Sequence, residues 1–188
     1  MLHRFRDAWV YGGSLCGIAL LITAVGLAPL VSLPLLLIYV LLPLYMLHQL
    51  EEHYDDRFRK FVNRYLGGGV ELLTPTSVFV INVPGVWGIF AVVFALSGVV
   101  HIGFGLISAY TMLVNAVTHI GQAAYMRRVN PGFYTGLVLF VPASAATILS
   151  VSSLGGVGVG FHMLGLAVAV IIHALIVGYA AYRRRAAS

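Results

Sequence analysis

Apolar residues in this chain come in runs of about twenty, and the polar residues are gathered between the runs. A run of that length lets an α-helix cross the roughly 30 Å hydrocarbon core of a bilayer. The runs predict six spans, at about residues 8–28, 34–53, 78–96, 105–125, 133–149 and 160–182. The turn residues agree with these limits. Pro29 and Pro34 bracket the first turn, Asn130-Pro131-Gly132 marks another, and a glycine-rich stretch at 152–160 makes the last. The apolar stretch from Ser77 to Tyr125 is too long for one crossing and divides near residues 97–103. Inside the second run, Pro43 removes one backbone hydrogen bond, so a kink is expected about one turn before His48.

One segment follows a different pattern. At residues 54–66, Tyr54, Phe58, Phe61, Val62, Tyr65 and Leu66 recur at helical spacing, with Asp55, Asp56, Arg57, Arg59, Lys60 and Arg64 between them. This predicts an amphipathic helix lying in the headgroup region and stopped by Gly67-Gly68-Gly69. The expected fold is all-α: a single integral membrane domain, a polytopic bundle of six transmembrane helices with one interfacial helix on the cytoplasmic side.

Composition narrows the class. Of 188 residues, 60% are apolar and 9% charged, where soluble domains carry about 25% charged residues. A soluble enzyme, a disordered chain and a nucleic-acid binder are excluded. The eleven Lys and Arg fall at Arg4 and Arg6, at Arg57, Arg59, Lys60 and Arg64, at Arg127 and Arg128, and at Arg183, Arg184 and Arg185. Those positions precede the first span or follow spans two, four and six, and the three other turns carry none. The positive-inside bias therefore puts both termini in the cytoplasm of a multi-pass protein of the cell membrane. Basicity here reads as topology, aided by attraction to anionic lipid, with no nucleic-acid partner. The basic Met1-Leu-His-Arg-Phe-Arg before an apolar run looks superficially like a secretory signal, but the run continues, so a retained first helix is expected. Cys16, the single cysteine, excludes an intramolecular disulfide framework and a cysteine-based zinc site.

Polar residues inside the spans are costly, and they are few: His48, Glu51, Glu52, Asn82, Asn115, His119, His162 and His173. An ionisable group at the centre of a membrane helix costs at least about 2.5–3.5 kcal/mol and tends to be functional or paired. At 100° per residue, Glu51 lies about 60° to one side of His48 and Glu52 about 40° to the other. Asp55 returns near the same direction, while His53 points away and reads as interfacial. An imidazole with carboxylates at i+3 and i+4 is how a helix presents metal ligands. Asn115 and His119 form an i, i+4 pair on the fourth span, and His173 stands alone on the sixth. His48, His119 and His173 precede their basic flanks by nine, eight and ten residues, or about 13, 12 and 15 Å. Three imidazoles are thus expected at one depth. Asn82, two residues before Pro84, reads as a kink-satisfying residue. His101 and His162, nearer the other membrane face, read as packing residues, and Gly121, Ala123 and Ala124 as points of close helix approach.

The expected metal ligands are His48, Glu51, Glu52, His119 and His173. Glu51, Glu52 and Asn115 are the expected catalytic groups, Asn115 orienting a ligand or the substrate. Imidazole with carboxylate suits zinc first and iron second, as one ion or a pair. An alternative reading pairs Glu51 and Glu52 with Arg57 or Arg59 at the water boundary.

The ordered set His48-x-x-Glu51-Glu52, Asn115-x-x-x-His119 and Arg128-x-x-Pro131-Gly132-x-x-Thr135 resembles the HXXEE-domain family of small bacterial integral membrane proteins. The likeness runs from about the second span through the fifth, with His173 as the late histidine. The family has no assigned function, and its polar residues suggest enzymes. The resemblance therefore supports the site and leaves the reaction open.

The expected activity is a membrane metalloenzyme acting on a lipid or another apolar substrate, hydrolytic with a metal-activated water and with Glu51 or Glu52 as base. The alternatives are a di-iron, oxygen-dependent hydroxylase or desaturase, and a transporter of protons or divalent ions through the same cluster.

Overall fold

The computed structural model describes residues 2–187, without the side chains of residues 2–5 and 7, so Arg4 lies outside the described side chains. Among the described residues, six helices are long and apolar enough to cross a membrane. They are Leu2–Leu27, Leu33–His53, Pro75–Val99, Gly105–Met126, Phe133–Ser152 and Val159–Ala186. The second begins with Pro34 in its first turn, where the missing N–H costs nothing. Thr74 and Ser77 cap the third reciprocally, each side chain accepting the other's backbone N–H.

The second and fourth helices form the centre. The second packs against the first, third, fourth and fifth, and the fourth against the third, fifth and sixth. Between them lies an apolar core of Leu41, Tyr45, Phe90, Ala109, Met112 and Phe140. The fourth and sixth helices cross closely where a Cβ on Gly165 would stand 2.8 Å from the Leu106 carbonyl oxygen. Close approach therefore falls at Gly165 and not, as expected, at Gly121, which faces open space, or Ala124, which is exposed. Backbone proximity depends on which face meets a neighbour, and small residues occur on both faces.

Two spans change pitch at their prolines. The third passes through a π-helical turn, Ile81–Trp87, around Pro84, and the fifth through another, Gly136–Phe140, just before Pro142. Such turns absorb the hydrogen bond that proline lacks. Asn82 completes the first by donating to the Val78 carbonyl at 2.8 Å.

After His53 the chain breaks sharply. Asp55 and Asp56 both adopt left-handed backbone conformations, with φ of 50° and 62°, and the segment Arg57–Phe61 sets off as a short helix continued by a π turn, Val62–Leu66. The break carries Asp55 away from the face of His48 toward Lys60, 3.7 Å away. Ideal helical geometry extended past His53 placed it wrongly. The basic flanks gather at one end of the bundle: Arg59 bridges Asp56 and Glu71, Arg183 donates to the Glu71 carbonyl at 3.1 Å, and Arg128 donates to the Tyr65 hydroxyl.

Candidate metal centre

The second helix supplies His48 and Glu52 one turn apart on its inner face, both buried. The fourth supplies His119, also buried. Glu52 is where they meet. Its Oε2 lies 3.6 Å from His48 Nε2, and its Oε1 3.4 Å from His119 Nε2. One ligand atom from each of the three residues falls within 4.8 Å of the others, so His48, Glu52 and His119 could hold a metal ion.

Hydrogen bonding behind the rings decides which nitrogens face the site. The Thr135 hydroxyl donates to Glu51 Oε2 at 2.6 Å, because an ionised carboxylate only accepts. With its one hydrogen used, that oxygen can only accept from His48 Nδ1, 2.7 Å away. His48 therefore carries its proton on Nδ1, and its Nε2, buried and without a hydrogen-bond partner, turns a lone pair toward Glu52. The Asn130 amide nitrogen donates to the His119 carbonyl at 2.9 Å and to Gln122 Oε1 at 2.8 Å. This orients Oδ1 to accept from His119 Nδ1 at 2.9 Å. His119 in its neutral form thus also presents an Nε2 lone pair to the carboxylate. Two imidazole lone pairs and a carboxylate around one point, each imidazole with its outer nitrogen anchored, is the arrangement found around protein-bound metals.

The turn that closes the site comes from far along the chain. Asn130-Pro131-Gly132 lays backbone directly on the two rings. At Gly132, with φ of 96°, a Cβ would fall 2.6 Å from His119 Cε1 and 2.9 Å from His48 Cε1. Glycine is required there both for conformation and for space.

Glu51 stands beside this group rather than in it. Its carboxylate receives the backbone N–H of Tyr134 at 3.2 Å and of Thr135 at 2.7 Å, as well as the Thr135 hydroxyl. It caps the start of the fifth span and holds His48 through Thr135. Neither Glu51 nor Glu52 pairs with Arg57 or Arg59. His173 hydrogen-bonds the Ala169 carbonyl of its own helix through Nδ1, at 2.8 Å, and lines the same cavity as Glu52 and His119. Two of the three histidines expected at one depth meet at Glu52, and the third lines the cavity beside them.

His53 departs from expectation. It is buried rather than interfacial, packed between Trp9 and Phe58, with Nε2 3.1 Å from Glu52 Oε2. The chain break after it turns the imidazole inward. Glu52 is thus surrounded by three imidazoles. Thr135 enters the sequence reading only through the family motif and Asn130 only as a turn residue, and Gln122 does not enter it; their contacts with the imidazoles and with each other come from packing. Gln49 is likewise buried, joining the second and third spans by donating to Asn82 Oδ1 and accepting from Trp87 Nε1. His101 and His162 pack as expected, His101 stacked on Phe161 and His162 bonded to the Tyr110 hydroxyl.

A cavity of about 210 Å³ opens from Glu52 and His119 toward the third and sixth spans, its walls including Val62, Leu73, Val78, Val86 and Ile176. Asn115 faces it. Its amide nitrogen donates to the Tyr45 hydroxyl at 3.1 Å, and its buried Oδ1 has no partner. A cleft lined by Ser77, Val80, Ile81, Leu175, Ile176 and Tyr179 lies between the third and sixth spans and shares Ile81 and Ile176 with the cavity.

Residues 39–147 match the family described as a protein of unknown function with HXXEE motif. No curated protein and no solved structure matches the chain.

Proposed function

From the site of this chain, which belongs to the HXXEE family, we propose a metal-dependent membrane enzyme that acts on a lipid or another apolar molecule by hydrolysis. The observation that carries the reading is the grouping of His48 Nε2, His119 Nε2 and the Glu52 carboxylate, buried together. Two neutral imidazoles and a carboxylate so arranged repel one another in a low-dielectric interior unless a proton or a metal cation lies among them. His48, Glu52 and His119 would hold that ion. Two imidazoles with one carboxylate is a donor set used for catalytic zinc, and nothing in it is a thiolate. A divalent ion bound there supplies Lewis acidity and makes water a nucleophile near neutral pH.

The chain's own residues have separable tasks. Thr135 with Glu51, and Asn130, hold the two imidazoles in the tautomer a metal needs. The carboxylate of Glu51 is committed to that work, so proton transfer falls to Glu52 among the two acidic residues. Asn115 Oδ1 offers an acceptor to a substrate hydroxyl or amide N–H. The apolar walls of the cavity exclude water, and the cleft between the third and sixth spans gives a chain in the bilayer a lateral way in. The basic end of the bundle, and with it both termini, lies in the cytoplasm by the positive-inside bias, which makes that entry one from the cytoplasmic leaflet.

A second reading has support from the same donor set. Two histidines and one carboxylate also suit a single non-haem iron that uses oxygen. With Glu51 outside the group, one ion is favoured over a di-iron pair.

Elemental analysis of protein purified in detergent without chelator tests the proposal. About one zinc or iron per chain is expected, lost in His48→Ala, Glu52→Gln and His119→Ala variants that retain wild-type elution in gel filtration. Metal-free wild type that stays so after incubation with zinc or ferrous iron overturns it. Zinc favours hydrolysis; iron with oxygen consumption favours the second reading.

A further inference from the structure

The basic end of the bundle carries a second site. A cleft of about 550 Å³ runs between the interfacial segment and the turn after the fourth span, and Arg57, Lys60, Arg64 and Arg128 line it together with Tyr65 and Tyr134. Two other cations at this end have acidic partners: Arg59 pairs with Asp56 and Glu71, and Arg183 with Glu71. Among the described residues of the cleft, Lys60 alone has one, Asp55 at 3.7 Å. Arg57, Arg64 and Arg128 have no carboxylate at ion-pair distance.

These arginines are arranged rather than scattered. The Arg64 and Arg128 guanidinium carbons lie 5.3 Å and 4.7 Å from the centroid of the same ring, Tyr65, and Arg128 also donates to its hydroxyl. Arg57 stacks on Tyr54 at 4.9 Å. Stacking on an aromatic face fixes a guanidinium plane and leaves its N–H edge free to bind. Four cations line the cleft against one carboxylate, Glu51, and a bound anion offsets the excess of positive charge. A planar fork of N–H donors matches the oxygens of a phosphate.

We propose that this cleft binds phosphate, carried by the headgroup of an anionic phospholipid or free in solution, with Arg64 and Arg128 as its principal donors. The site is independent of the metal reading, although it is built against it: Glu51 and Asn130, which anchor the two imidazoles through Thr135 and directly, also line the cleft.

The rival explanation is a cationic face drawn to any anionic surface, and a matched pair of variants separates the two. Arg64→Gln/Arg128→Gln removes two charges from the cleft. Arg127→Gln/Arg184→Gln removes two from the same end outside it. Binding of phosphatidic acid, with phosphatidylcholine as reference, is measured by native mass spectrometry of the detergent-purified protein. Binding of inorganic phosphate is measured by calorimetry in lipid-free detergent.

Wild type is expected to hold at least one of the two phosphate ligands. The cleft pair should lose about tenfold in affinity, the scale of one charge-assisted hydrogen bond, and the outer pair should stay within about twofold. Phosphatidic acid alone identifies a lipid headgroup, and inorganic phosphate binding identifies a free source; either supports the proposal. Equal losses in both pairs, or binding of neither ligand by wild type, overturn it. Single Arg64→Gln, which keeps the Arg128–Tyr65 hydrogen bond, should shift affinity in the same direction and guards against misfolding of the double variant.

Discussion

The Thr135 hydroxyl donates to Glu51 at 2.6 Å while its oxygen lies 2.7 Å from His48 Nδ1. One hydroxyl thereby links the two ends of the His48-x-x-Glu51 spacing across the bundle. The acidic residue at i+3 controls the histidine from behind, through a residue of another span, and the acidic residue at i+4 meets it in front.

That relay predicts a graded effect at Thr135. Thr135→Val should weaken zinc binding about 10–100-fold, the usual consequence of losing a hydrogen bond behind a ligating imidazole. Thr135→Ser should restore most of it. Competition against a chromophoric chelator measures both. Equal affinity in wild type and the valine variant would remove the relay from the account of the site.

The two glutamates should separate. Glu52→Gln removes a ligand and is expected to abolish stoichiometric metal. Glu51→Gln leaves the ligands in place but weakens the cap on the fifth span, costing about 0.5–2 kcal/mol of stability, with partial metal retention. Thermal unfolding followed by circular dichroism, beside metal analysis, distinguishes them.

Gly132→Ala should be among the most damaging small substitutions. The left-handed backbone alone makes a Cβ cost about 1–2 kcal/mol, and here that Cβ would collide with both imidazole rings. Loss of metal and a lowered unfolding temperature are expected together. A metal-replete alanine variant of wild-type stability would show that the turn does not press on the rings.

Blocking the cavity should leave the metal untouched. Ile176 lines both the cavity and the cleft between the third and sixth spans. Ile176→Trp is therefore expected to keep wild-type metal stoichiometry while losing affinity for a pyrene-labelled acyl chain, followed by fluorescence. Unchanged probe binding would argue against entry between the third and sixth spans.

Much of this molecule is legible without coordinates, for identifiable reasons. Long apolar runs admit few solutions in a bilayer, because every backbone N–H and C=O must be bonded within its own segment. His48 and Glu52 share a face because they lie one helical turn apart, a relation that local geometry enforces. The same rule put Glu51 on that face about as well as Glu52, and helix geometry alone cannot choose between them.

The amino-acid order by itself determined six spans, the gathering of basic residues at one end and the pairing of His48 with Glu52. Only the tertiary structure decided that Glu51 caps the fifth span, that His119 rather than His173 groups with His48 and Glu52, and that His53 turns inward. Those outcomes depend on how separate helices rotate and slide against one another. Such packing is set by contacts between residues some 60 to 90 positions apart, between His48 and His119 or Glu51 and Thr135, and no local periodicity encodes it.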